Sequence, residues 1–510
     1  MGGLKELIAI LCLTLPVFWI AKAPACEFAV DLPDFCRRRN LWIAISSLAF
    51  VSNNFWVYII GAAVILAFGV TREVNWLAMF FSLMMAVPAF GRSISGVGGI
   101  QEFMHMNHLR LLSIVILLPA YLITRRRVNS LPFGRTTSDK FLLAYLALQL
   151  ILQVPVSSVT NVVRYTVYSF IDVFLPYYVA SRSLQHLKDY RDALTTLVLT
   201  VLLMASIAIF EYFRSWQLYA GLAGMWGIES DSFGNYMLRG GHIRAIVTSQ
   251  HPIVLGYVVT VALGIFLFVK NFVSNRILVL LGLILLIGSL IASGSRGPWV
   301  GSAVVLAAVL LTGEDRLKRS TRLALLATPI LIAASFTDFG EKLFSALPFI
   351  GTADTDSVEY RQVLIDTSFL VIRQNLWFGA FDYLANPAMQ SLMTGDGIID
   401  VVNTFVGVTL TYGIVGLGLF CGVFLFAARD AYIAMRHAEK WSETSLLGRS
   451  LLATLTGAMV TIVTASSVGV VPVLYWIIAG LCVGYAQLVR STGRTTAMTE
   501  QEIQGRLAGV

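Results

Sequence analysis

The chain has 510 residues, of which 57% are hydrophobic and only 13% are charged, and its mean hydropathy is +0.76. This composition excludes a soluble globular protein, and the apolar runs lack the alternation of polar residues that membrane β-barrel strands show. The net charge of +8 comes from Lys and Arg that concentrate in loops on one side of the predicted membrane, so the basic pI indicates no nucleic-acid partner.

Apolar runs long enough to cross about 30 Å of hydrocarbon recur from end to end. The sequence therefore predicts an all-α polytopic membrane protein with about 12–14 transmembrane helices and a long external loop before the last three spans. The predicted organisation is 1–213 for N-terminal transmembrane helices, 214–336 for central helices, 337–400 for the external loop, 401–490 for C-terminal transmembrane helices and 491–510 for a cytoplasmic tail.

The first spans give conflicting signals. Leu4–Ile20 is typical of a first span or anchor, and Leu41–Gly69 of one tilted or broken span. Alternation then places the loop 22–40 outside, whereas Arg37–Arg39 favours the cytoplasm. A disulfide between Cys26 and Cys36 in this loop stays open, and the five cysteines show no metal-ligand spacing.

The stretch Ser293–Gly301 joins two fully apolar segments and holds a charge. Arg296 stands there although an arginine costs roughly 2.5–3.5 kcal/mol at the centre of a span, and less near an interface. Gly294 and Gly297 allow a tight turn and the close approach of a ligand, and the next helix starts with unpaired N–H groups. The stretch predicts an anion site; the alternative is an Arg that extends to lipid headgroups.

Several guanidinium groups fall on the predicted external side, where the charge bias disfavours them: Arg239, Arg244, Arg296, Arg361 and Arg373. Arg244 offers a planar fork that suits phosphate, whereas the alternative is a loop Arg paired with Glu229 or Asp231. His242 and His251 are candidate bases, or hydrogen-bonded packing residues.

The external loop contains a predicted helix, Val358–Trp377, whose apolar residues recur at helical spacing. It is typical of an amphipathic helix that lies on the membrane or dips into it. Arg361 lies on this helix, and a local ion pair with Glu359 is the alternative to a functional role.

Asp400 and Asn403 stand at the external end of the next apolar helix. A carboxylate and an amide at this place can hold a sugar hydroxyl or orient an acceptor, but Asp400 can equally be a helix N-cap. Further along, Gly413, Gly416 and Gly418 indicate close helix packing.

Taken in order, these residues resemble the O-antigen ligase and O-antigen polymerase superfamily. The resemblance rests on the turn Ser295–Gly297, the loop helix with Tyr360-Arg361, an Asn-Leu-Trp-Phe-Gly element at Asn375–Gly379, and the glycine pair in Tyr412–Gly416. It covers about residues 239–425.

The resemblance implies a glycosyltransferase of GT-C-like ligase or polymerase architecture in the bacterial inner membrane. Its donor is an undecaprenyl-diphosphate-linked oligosaccharide at the periplasmic face, and its acceptor is a glycan or the lipid A core. By position, Arg244, Arg296 and Arg361 look like the arginines that hold the lipid diphosphate in that family. Arg239 is a further candidate contact to the diphosphate. The resemblance implies an inverting transfer that needs no metal and no other cofactor.

One position departs from the family pattern. Ligases of this family usually carry a His before the Asn that starts the span after the loop, and here Val402 precedes Asn403. Such a His would help to deprotonate the acceptor hydroxyl. Asp400 is the first substitute base and Asp396 the second, and we expect a polymerase-like transfer slightly ahead of ligation.

Two other classes stay open. A transporter or flippase should show two similar halves or broken helices near the midplane, and the sequence shows no internal repeat. A structural scaffold would leave the individually placed arginines unexplained. The expected partners are the lipid-linked donor, the acceptor, the bilayer and other polysaccharide-assembly proteins.

Overall fold

The computed structural model describes residues 3–96, 102–127, 131–228, 238–239, 242–312, 355–393 and 399–508. Its helices are α1 (Leu4–Phe28), α2 (Leu32–Val51), α3 (Phe55–Val70), α4 (Trp76–Leu83), α5 (His108–Leu112), α6 (Leu118–Thr124), α7 (Thr137–Gln153), α8 (Val159–Tyr168), α9 (Leu175–Arg182), α10 (Leu187–Arg214), α11 (Ala220–Met225), α12 (Pro252–Val269), α13 (Arg276–Ala292), α14 (Arg296–Leu311), α15 (Thr355–Gln374), α16 (Pro387–Gln390), α17 (Thr404–His437), α18 (Glu443–Ile462) and α19 (Val471–Ala508).

Short π-helical turns connect two pairs of these helices, at Ser113–Leu117 and Ser169–Phe174, and Tyr383–Ala385 forms a 3-10 turn. Two antiparallel hairpins complete the described elements: β1 (Gly91–Ser95) with β2 (Glu102–Asn107), and β3 (Leu238–Arg239) with β4 (His242–Ile243). Many helices start after a side chain that accepts a main-chain N–H, as Asn54 does for Trp56 and Val57.

Six described helices are long and apolar enough to cross a membrane: α1, α10, α12, α17, α18 and residues Val471–Ser491 of α19. Four shorter apolar helical stretches accompany them: Phe55–Val70, His108–Thr124, Arg276–Ala292 and Arg296–Leu311. The predicted all-α polytopic membrane fold is confirmed. Residues 313–354, where the predicted central helices end and the predicted external loop begins, lie outside the described residues.

The two ends of the helix bundle are distinguished by their charged residues. At one end, the Arg38 face, the guanidinium of Arg38 at the start of α2 donates to Glu73 after α3 (2.6 Å) and to Asp192 at the start of α10 (2.9 Å). At the other end, the Arg244 face, Glu211 near the end of α10 contacts the segment that holds Arg244.

This arrangement corrects the predicted course of the first spans. The predicted single span Leu41–Gly69 is two helices, α2 and α3, separated at Ser52–Asn54, where Asn54 caps α3. The extra crossing places Arg37–Arg39 on the Arg38 face together with the start of α10, so placing the loop 22–40 on the same side as Arg244 was wrong. The conflict with the positive-inside bias disappears, because this is also the face of Arg182 and Arg191.

The cysteines of this first region are not bonded to each other. Cys26 and Cys36 are free thiols on the Arg38 face, so the disulfide considered for an external loop is absent from the structure.

The external loop holds its predicted helix as α15. Leu364 and Ile372 of this helix are buried against Met389 of α16 and Leu410 of α17, which gives this part of the chain a small apolar core of its own. The main apolar core, formed by the remaining spans, lies on the other side of α17.

Candidate functional site

The turn between α13 and α14 is the centre of the site. α13 ends at Ala292, and Arg296 is the first residue of α14, so the intervening chain reverses direction within three residues. Gly294 makes this possible with a φ of 56°, in the left-handed region that favours glycine. Arg296 is half-buried at the helix start, where main-chain N–H groups lack intrahelical partners.

Close packing of α14 fixes this turn against two other helices. A Cβ at Gly256 of α12 would lie 2.7 Å from Pro298, so only a glycine allows this approach. On the other side, Gly297 and Gly301 leave no room for a Cβ against Thr464 and Thr461. The position of Arg296 is therefore determined by interhelical packing.

Arg244 lies directly against this turn. Its Nε donates to the Ser293 carbonyl oxygen (3.1 Å) and its Nη2 to the Ser295 hydroxyl (2.7 Å), and the main-chain N–H of Ala245 donates to the Ala292 carbonyl (3.0 Å). Two predicted site residues 52 positions apart, Arg244 and Arg296, are thus brought to the same turn.

Glu211 holds the Arg244 segment in place. Its carboxylate is fully buried and accepts three main-chain N–H groups, from Leu218 (3.0 Å), Ile246 (3.1 Å) and Val247 (2.9 Å). Val247 has a φ of 49°, which is unfavourable for a β-branched residue and shows how strongly the segment is constrained. Glu211 is not recognisable as a site residue from the sequence, because a carboxylate near a helix end looks like an ordinary loop residue.

His251 connects Arg244 to the external loop. It is the N-cap of α12, and its Nδ1 accepts the main-chain N–H of Ile253 (3.2 Å). Burial lowers the pKa of His251 to about 4, the charges of Arg244 and Arg361 lower it as well, and the Asp400 carboxylate raises it. These electrostatic effects show that Arg244, Arg361 and Asp400 all lie in the surroundings of one imidazole.

The protonation of His251 decides which chemistry it can perform. With a pKa of about 4 the imidazole is neutral at neutral pH, and because Nδ1 is an acceptor, Nε2 carries the proton. His251 is therefore a hydrogen-bond donor at Nε2, and the geometry does not support the predicted alternative of a base.

Asp400 lies at the edge of the same region. Its Oδ1 accepts a hydrogen bond from the Ser466 hydroxyl (2.6 Å), and Thr404 binds the neighbouring Ala465 carbonyl through its N–H and its hydroxyl. Burial raises the pKa of Tyr360 and of Tyr383, and the negative charge of Asp400 raises both further. The exposed carboxylate thus accepts one hydroxyl hydrogen bond, from Ser466, and acts electrostatically on Tyr360 and Tyr383.

Asn403, and not Asp400, is the N-cap of α17. Its side-chain oxygen accepts the main-chain N–H groups of Phe405 (3.0 Å) and Val406 (3.2 Å), so the N-cap alternative considered for Asp400 was wrong. The side-chain oxygen of Asn403 is occupied by the helix, and its NH₂ group remains the part that can donate to a substrate.

Two other residues singled out in the sequence, His242 and Arg373, do not join this group. Arg239 pairs with His242 in the small hairpin through its backbone, and the side chain of His242 stacks on Tyr212 at 5.1 Å. Arg373 is exposed and lies more than three helical turns beyond Arg361 on α15. Five residues lie outside the part of the chain whose side chains are described: Glu229, Asp231, Arg239, Glu359 and Asp396.

The described part of the chain contains no candidate metal site beside these residues. Within it, no three His, Cys, Asp or Glu side chains come together in a way that could hold a metal ion. The charged groups that do come together are guanidiniums and one carboxylate, a set that suits an anionic substrate.

A comparison with family models bears on the predicted family. The model of a family described as O-antigen ligase matches residues 281–421. The match supports the resemblance to the O-antigen ligase and polymerase superfamily. This O-antigen ligase-related protein is a multi-pass membrane protein of the ligase- or polymerase-like glycosyltransferase type. The matched residues include Arg296, Arg361 and Asp400, whereas Arg244 and Glu211 precede them. No curated protein matches the chain.

Proposed function

We propose that this protein transfers a glycan from undecaprenyl diphosphate to an acceptor hydroxyl, without a metal and with inversion at the anomeric carbon. The observation that carries the proposal is the meeting of three separate parts of the chain around one region. Arg244 binds the turn that holds Arg296, and the charges of Arg244, Arg361 and Asp400 all act on His251.

The guanidinium groups would hold the donor diphosphate. Arginine forms paired, charge-assisted hydrogen bonds to phosphate oxygens, and Arg296 also places the N-terminus of α14 beside the same anion. Arg239 is the fourth proposed contact. Stabilising the charge on the departing diphosphate is the largest contribution that such a site can make without a metal.

Asp400 would be the base. In the proposed step it accepts the proton of the acceptor hydroxyl, whose oxygen bonds to the anomeric carbon as the bond to the diphosphate oxygen breaks. The NH₂ group of Asn403 and the Nε2–H of His251 would donate to sugar or phosphate oxygens. We expect Asp400→Asn to lower kcat about 100-fold with little change in the donor KM; an unchanged kcat would exclude Asp400 as the base.

The orientation follows from the distribution of basic residues. Arg37–Arg39, Arg182 and Arg191 lie on the Arg38 face, and clusters of this kind favour the cytoplasm. The Arg244 face is then periplasmic, and the protein lies in the bacterial inner membrane. Accessibility of a cysteine placed at exposed Gln390 to an impermeant thiol reagent in intact spheroplasts tests this orientation.

Polymerisation is slightly favoured over ligation because Val402 occupies the place of the usual ligase His. The second candidate is transfer to the lipid A core, which the O-antigen ligase description of the matching family favours. A transporter is disfavoured, because the main-chain groups freed by the break of α17 at Gly413 are bonded to another part of the chain.

A deletion strain distinguishes these functions through its envelope polysaccharide. Loss of polymer with single repeat units retained supports a polymerase, and intact polymer left on its lipid carrier supports a ligase. Full-length glycan confined to the inner leaflet would contradict both and indicate a transporter.

A further inference from the structure

The spanning helix α17 is interrupted in its outer part. Gly413 has φ 66° and ψ −169°, which no α-helix contains, so main-chain groups on both sides of this residue lose their intrahelical partners. In hydrocarbon each unsatisfied group of this kind costs several kcal/mol.

The segment Leu376–Ala380 provides these partners. The N–H of Ile414 donates to the Leu376 carbonyl (2.9 Å) and that of Val415 to the Trp377 carbonyl (3.2 Å), while the N–H of Ala380 donates to the Leu410 carbonyl (2.8 Å). The segment therefore replaces the hydrogen bonds that the helix loses.

Two glycines make this contact possible. Gly379 also has a φ of 66°, and a Cβ there would lie 2.6 Å from the Gly413 main-chain nitrogen. Neither position tolerates a side chain, since the two backbones touch. Backbone docking therefore explains Gly379, the last residue of the Asn-Leu-Trp-Phe-Gly element, and Gly413, the first of the glycine pair, without a catalytic role.

The depth of the contact follows from the length of α17. The helix starts at Thr404, and at about 1.5 Å per residue Gly413 lies roughly 14 Å further along its axis. The nearest charged residues along the chain are Asp400 and Arg429, so the contact lies within the apolar part of the span. Irregular backbone is tolerated at such a depth where protein groups satisfy it, as they do here.

The side chains of the segment are not covered by the rest of the protein. Trp377 is 64% exposed and Phe378 is 52% exposed, and Phe369 and Leu370 on α15 are exposed as well. In water such a surface would be unfavourable, whereas at this depth lipid chains cover it.

We infer that Leu376–Phe378 is a re-entrant segment inserted into the outer part of the hydrocarbon layer, with Trp377 and Phe378 against the chains of bilayer lipids. The segment fastens α15, and with it Arg361, to a spanning helix at a defined depth. This inference depends on the membrane location of the chain and is independent of the proposed function.

Spin labels on the full-length protein in phospholipid nanodiscs test the inference. Single cysteines are placed at Phe378 and at Trp377 in a background without the five native cysteines, and collisions with oxygen and with a water-soluble nickel chelate are compared. Ile284→Cys, exposed in the middle of α13, is the lipid reference, and Gln390→Cys, exposed on α16, is the aqueous reference.

We expect both labels to resemble the Ile284 reference, with high oxygen and low nickel accessibility. Labels as accessible to nickel as the Gln390 reference would overturn the inference. Trp377→Cys alone decides the matter if Phe378→Cys does not fold, because each side chain is substantially exposed and reports independently.

Discussion

The two faces of this protein use charged residues in different ways. On the Arg38 face, guanidiniums and carboxylates from distant helices neutralise each other in buried pairs, as Arg38 does with Glu73 and Asp192. On the Arg244 face, the buried carboxylate of Glu211 binds main-chain N–H groups, and Arg244 donates to a carbonyl and a hydroxyl. Charge holds helices together on one face and shapes a turn on the other.

The difference separates stability from activity. Pairs on the Arg38 face contribute to assembly of the bundle, so their loss should lower the amount of folded protein. Arg244, Arg296 and Arg361 of the proposed site on the Arg244 face are half-buried, so their loss should change turnover while the bundle remains assembled.

The largest effect is expected from the arginines of the proposed diphosphate site. Arg296→Ala and Arg361→Ala should each lower kcat/KM for the donor at least about 100-fold, because a fixed contact to the developing charge is lost. Arg296→Lys should also be impaired, since a point charge cannot replace the planar fork. Initial rates of glycan transfer by the purified variants measure kcat/KM, and their melting temperatures show whether they remain folded. Variants with the wild-type rate would show that neither arginine belongs to the site.

The opposite behaviour is expected on the Arg38 face. Arg38→Ala leaves Asp192 without its ion-pair partner and Glu73 with Arg37 alone, and it should destabilise the protein by about 3–5 kcal/mol. Lys188→Ala, which breaks the exposed pair with Asp31, is the matched control and should cost less than about 1 kcal/mol. Denaturation in detergent measures both, and a loss of specific activity per folded Arg38→Ala molecule would contradict the separation of the faces.

A smaller effect, on both stability and donor binding, is expected at Glu211. Glu211→Gln leaves one acceptor oxygen for three N–H donors, so the Arg244 segment should shift and the donor KM should rise about tenfold. Asp139→Asn, which weakens the buried pair with Arg182 on the other face, should lower the folded amount and leave KM unchanged. Equal KM values in the two variants would limit Glu211 to a structural role.

The smallest effect concerns pH. The pKa of His251 is lowered from about 6.5 to about 4 on folding, so its neutral form contributes stability that is present above pH 6.5 and is lost as the pH falls towards 4. His251→Gln should therefore lose less stability than the wild type between pH 6.5 and 4.5. Parallel melting curves of both proteins at these two pH values check the sign.

Much of the architecture was predictable because charge inside apolar sequence is conspicuous. Arg296 between two apolar segments predicts a turn at a membrane face, and α15 follows from its helical spacing. The break between α2 and α3 was not predictable, since Ser52–Asn54 carries no charge and leaves the apolar run long enough for one span.

The candidate site was only partly predictable. The guanidinium of Arg244 suggested a function by itself, but its contact with the Ser293–Ser295 turn was not predictable. This contact depends on Glu211, which binds main-chain N–H groups of the Arg244 segment. Contacts to main-chain groups have no signature in a sequence. The glycine at Gly413 indicated close packing, whereas the helix break there depends on the segment that docks against it.

The central claim is that arginines from separate parts of the chain act on one bound diphosphate. A double-mutant cycle of Arg244→Ala and Arg361→Ala, read out as the donor Kd, tests it most directly. Two guanidiniums on one anion should show a coupling free energy above about 0.5 kcal/mol, whereas losses that add within about 0.3 kcal/mol would contradict a shared site.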